Sequence, residues 1–106
     1  MIEVWLLAGF FAAHAVWSVE DGETLVPIYA YYKDGQRHME RVEAERLEDA
    51  VRIGHEALAA NTANATSAVL IYDGYLTFDG RRSDALFVEL RAYGTSPVEA
   101  RLAIPY

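Results

Sequence analysis

Three histidines, seven tyrosines and one pair of adjacent arginines are the side chains here whose chemistry could serve a site. Histidine titrates near neutral pH and is the usual general base. His14 falls near the polar edge of an apolar segment, within reach of Glu3, where a satisfied buried histidine is the plainer reading than a catalyst. His38 and Glu40 are two residues apart and share a face if that segment is a strand. That is half of a metal site, which takes three or four ligands. His55 falls on the wet flank of the clearest helical segment. No spacing brings the three histidines together, so neither a metal nor a cofactor is expected.

Tyr29 and Tyr31 stand with Tyr32 on one apolar stretch. An apolar ring with a polar tip suits an interface or a ligand wall, and it also suits any strand. Trp5 and Trp17 flank the first apolar segment and read as core or as subunit contact. Arg81 and Arg82 follow an Asp-Gly pair in an acidic chain, where they could hold a carboxylate or phosphate. Gly-rich phosphate loops, the G-x-S-x-G elbow and H-E-x-x-H are absent. So is cysteine, which excludes disulfides, zinc-thiolate sites and thiol nucleophiles. No catalytic constellation stands out, and the reading leans away from an enzyme.

The elements that position these side chains belong to one domain, residues 1–106, with 53% hydrophobic content. The net charge of −7 and the lack of any Lys or Arg before Lys33 argue against nucleic acid, whose binding draws on cations meeting phosphates. Val4–Trp17 is strongly apolar but shorter than the roughly 20 residues that span a bilayer. Ala13-His14-Ala15 imitates a signal-peptide cleavage site, yet Met1-Ile2-Glu3 lacks the positive start such a peptide needs. A buried element, no membrane and a cytoplasmic location are therefore expected.

Ile2–Ala13 reads as a helix apolar nearly all round, with Ala15–Glu20 turning into a strand. Leu25–Tyr32 reads as a strand apolar on both faces, where Pro27 implies an edge, a bulge or the strand's start. Gln36–Glu43 reads as a polar edge strand. Glu45–Ala60 has helical spacing, with Leu47, Ala50, Val51, Gly54, Ala57 and Leu58 on one face. Ala68–Tyr72, Ala85–Tyr93 and Val98–Ile104 read as strands, the last two alternating apolar and polar. Asp21-Gly22, Asp34-Gly35, Asp73-Gly74 and Asp79-Gly80 suit tight hairpin turns. Alternation implies one packed face and one wet face. The expected fold is α+β: an antiparallel sheet of about five strands with two helices packed on one face.

Three functions fit this reading. The first is a small non-enzymatic domain acting by self-association, as a homodimer, or by binding another protein. The second is a small-molecule-binding protein or minor enzyme with a tyrosine-lined pocket and His14 or His38 as its titrating group. The third is an acidic inhibitor or immunity-type protein that neutralises a basic partner.

Overall fold

The computed structural model describes residues 2–20, 25–94 and 97–105, and at 2–4, 16–20 and 78 only the backbone. In chain order these form α1 (Ile2–Glu20), β1 (Ile28–Lys33), β2 (Gln36–Arg41), α2 (Leu47–Ala60), β3 (Ser67–Phe78), β4 (Arg81–Ala92) and β5 (Val98–Pro105). The five strands make one antiparallel sheet in the order β2-β1-β3-β4-β5. With two helices packed on that sheet, the class is α+β.

Two Asp-Gly pairs close hairpins. Asp34 and Gly35 have φ of 53° and 76°, and Asp79 and Gly80 have 51° and 73°. Both central residues of a type I′ turn need positive φ, which Asp tolerates and Gly accepts freely. Asp73-Gly74 is different: it continues β3, and Gly74 pairs with Ala85 of β4. A Cβ at Gly74 would stand 2.7 Å from Cε2 of Phe87. The glycine lets an aromatic ring lie across the strand, so β3 and β4 run on for 12 residues each. Asp21-Gly22 lies outside the described residues.

α1 does not yield to a strand at Ala15. Leu7, Phe11 and Ala15 recur every four residues and are all buried against the sheet, so continuing the helix extends one packed row. β1 starts just after Pro27, which has no N–H to give but whose carbonyl accepts from the Val42 N–H at 2.8 Å. β2 is exposed along its whole length at one edge of the sheet. α2 ends at Asn61, in the left-handed region with φ 51°. The Asn61 side chain then ties the following loop, accepting from the Ala65 N–H at 2.9 Å and donating to the Ala65 carbonyl at 3.0 Å.

Each helix packs on one face of the sheet, but the faces differ. Leu7, Ala8, Phe11 and Ala15 of α1 meet Ile28, Ala30, Val69, Ile71, Leu86, Val88 and Leu90. Leu58 of α2, with Val51 and Ala57 beside it, meets Tyr29, Ala68, Leu70 and Tyr72. Those two sets alternate along β1 and β3, and alternate strand residues point to opposite faces. The expected placement of both helices on a single shared face is thereby corrected. The central strands β1 and β3 are covered on both sides, as their unbroken apolar runs require. The cleaner alternation of β4 and β5 reflects strands toward the edge, and even there Phe87 and Glu89 are half-buried on the side of α2. Among the described residues no helix is long and apolar enough to cross a membrane.

Candidate functional site

Among the described residues a connected polar cluster lies between α2 and the sheet. Gly54 brings the helix close: a Cβ there would stand 2.5 Å from Cδ1 of the fully buried Leu70. The next residue, His55, therefore reaches strand side chains. β3 contributes Tyr72, β4 contributes Glu89, and β5 contributes Arg101 directly opposite Glu89. His55 Nε2 meets Glu89 Oε2, and the Tyr72 hydroxyl donates to that same oxygen at 2.5 Å. Arg101 Nη2 donates to the Tyr72 hydroxyl at 3.3 Å, while its guanidinium lies 4.8 Å from the Phe87 ring centre. Phe87 and Tyr72 stack at 5.5 Å and 20°, and the His55 ring stands edge-on to Tyr72 at 5.4 Å.

The electrostatics follow from that geometry. Burial alone would push the Glu89 carboxyl up. The hydrogen bonds from Tyr72 and His55, helped by the His55 and Arg101 charges, outweigh it and hold Glu89 below its ordinary range. Burial first, then the Glu89 carboxylate, pushes the Tyr72 phenol up to about 12. The phenol thus keeps its proton at neutral pH and remains a donor. A carboxylate-held imidazole has the arrangement of a general base, and 43% of the His55 side chain is open to solvent. Its neighbours Glu89, Tyr72, Arg101 and Phe87 include no Ser, Thr or Lys that it could activate as a nucleophile. The cluster fastens α2 to β4 through the Glu89 carboxylate, which also accepts from Tyr72 of β3, and the Tyr72 hydroxyl in turn accepts from Arg101 of β5. Beside it, over β4 and β5, lies an open hollow of about 450 Å³ lined by Glu89, Arg91, Glu99 and Arg101. Two of its charges pair with each other, Arg91 Nη2 standing 3.0 Å from Glu99 Oε1.

Of the candidates drawn from the sequence, Tyr29, Tyr31 and His38 come together as a row. Tyr29 and Tyr31 have ring centres 5.4 Å apart, and Tyr31 stacks on His38 at 5.0 Å and 14°. The Tyr31 hydroxyl donates to Glu40 at 3.4 Å. The row lies on the α2 side of β1 and β2, away from the hollow over β4 and β5. Tyr29 is 3% exposed, and its buried hydroxyl makes no hydrogen bond of good geometry although Thr62 comes close. His14 lies on an exposed side of α1, not in the core. Trp5 is on the outer side of the same helix, and the Trp17 side chain lies outside the described residues. Arg81 and Arg82 begin β4, so they point to opposite faces and do not form one fork. Arg82 lies over the Tyr75 ring at 3.7 Å. Among the described residues no three metal-ligating side chains gather.

The cluster of His55, Glu89, Tyr72 and Arg101 was not singled out by sequence reasoning. His55 read as a wet flank and Glu89 as an outward strand position. The usable signal was Gly54 beside His55, a small residue on the packed face of α2. The chain matches no protein-family model, no curated protein and no solved structure.

Proposed function

We propose that this chain is a small interaction domain that works by binding protein, and first of all a second copy of itself. The observation that supports this reading best is the outer side of α1. The helix already buries Leu7, Ala8, Phe11 and Ala15, yet Leu6 is 63%, Phe10 52% and Trp5 43% exposed. Apolar side chains scattered singly on a surface are ordinary, whereas neighbouring ones on one element mark contact surfaces. Covering them is worth roughly 25 cal/mol per Å² of apolar area. Tryptophan is also prominent among the residues that dominate binding energy. α1 carries no Lys or Arg of its own, and Arg37 of β2 lies 4.0 Å from the Phe10 ring centre.

Light scattering on size-separated protein across the micromolar range tests the reading. Wild type is expected to run as a dimer that dissociates on dilution. The doubly substituted Trp5→Glu, Leu6→Glu chain is expected to stay monomeric with an unchanged circular dichroism spectrum, because both side chains are exposed on α1. A wild-type monomer at every concentration overturns self-association.

A further inference from the structure

The two edges of the sheet are built differently. β2 presents Arg37, His38, Glu40 and Arg41, all exposed, and charged side chains guard an edge against pairing. β5, at the other edge, carries two charges and is bounded by Pro97 and Pro105. Val98, Ala100, Leu102 and Ile104 lie on its α1 side, and Glu99, Arg101 and Ala103 on its α2 side. Leu102 is 42% exposed, unlike the buried Val88 opposite it on β4.

We propose that β5 pairs antiparallel with β5 of a second copy about a two-fold axis at Ala100, joining the two sheets into one. The inference rests on the self-association reading and names its seam. In that register Glu99 faces the second copy's Arg101, and Arg101 faces the second copy's Glu99. Within each chain Arg101 already stands opposite Glu89, and Glu99 opposite Arg91. The α2 side of the joined sheet therefore reads Glu89, Arg101, then the second copy's Glu99 and Arg91. The sign alternates at every step, and opposite charges directly across strands stabilise a sheet. On the other side Leu102 meets Val98, and Ala100 meets its own copy. Moving the axis to Leu102 sets Arg101 against Ala103 and Glu99 against Pro105, which leaves both charges without a mate. The strand is thus complementary to itself in one register, as a two-fold contact demands. α1 flanks the seam. Phe10 stands on the flank over β2, under Arg37, and Trp5 on the opposite flank of the buried stripe, the one turned toward β5.

The chain has no cysteine, so a single introduced one reports its own neighbour. Facing residues of antiparallel strands have Cα atoms roughly 4.5–5.5 Å apart, within disulfide range. Under mild oxidation Ala100→Cys is expected to give a covalent dimer, and Val98→Cys, whose mate is Leu102, to remain unlinked. Leu102→Lys places a charge on the apolar side of the seam and is expected to weaken the dimer about tenfold or more, with circular dichroism confirming its fold. If wild type is a dimer but positions 98 and 100 cross-link alike, or Leu102→Lys leaves the dimer equally tight, the seam is elsewhere and only this inference falls. If wild type is monomeric throughout, the inference falls together with self-association.

Discussion

Glu89 accepts from Tyr72 and meets His55 with a single oxygen, so its neighbours are coupled through it. Tyr72→Phe removes one donor to a charged acceptor and is expected to cost about 1–2 kcal/mol in urea unfolding. The pH dependence has two limbs. Glu89 binds its proton less tightly folded than unfolded, so its contribution is present above the ordinary carboxylate range and lost as pH falls through the lowered folded value. The stability gap between wild type and Glu89→Gln should therefore close on acidification, read as converging urea midpoints. Tyr72 and Tyr93 are raised from 10.0 to about 12, chiefly by burial. Between those values the unfolded chain loses phenolic protons that the folded chain keeps, so stability should fall as pH rises from about 10 to about 12. Titration of tyrosine absorbance should resolve a late-ionising class that merges with the rest in urea. The residue types in this cluster were visible in the sequence. Their meeting was not, because α2, β3, β4 and β5 each supply one member and no local spacing records that convergence.

Elements were legible where their signal is local. The helical spacing of Glu45–Ala60 gives α2 within two residues of its start, and Asp34-Gly35 and Asp79-Gly80 turn as their backbone needs predict. Legibility ended where a partner decides. Asp73-Gly74 looks like a turn until Phe87 lies across it, and Ala15 looks like a helix end until it completes a row with Leu7 and Phe11. Placement of the helices on opposite faces depends on which side of the sheet each connection crosses, which periodicity does not encode. The close approach at Gly54 yields a prediction for this scale. Alanine there gains about 1 kcal/mol of helix propensity. Against that, its Cβ overlaps Leu70, and overpacking a buried site costs about 1–3 kcal/mol. Gly54→Ala should therefore lower the urea midpoint, whereas an exposed helical glycine changed to alanine would raise it.

At the scale of the whole molecule, the chain closes its core on both faces of the sheet and still leaves apolar side chains on α1 and on β5 in water. A second copy seated along the free edge of β5 and against the flank of α1 turned toward it, where Trp5 lies, would cover side chains of both. The sequence hinted at this through an apolar first segment with few polar breaks, while the location of the free edge needed the strand order. Sedimentation velocity of the wild-type protein from low to high micromolar concentration tests self-association most directly. The account predicts a species of twice 11.9 kDa that gives way to 11.9 kDa on dilution. A single 11.9 kDa species at every concentration would contradict it.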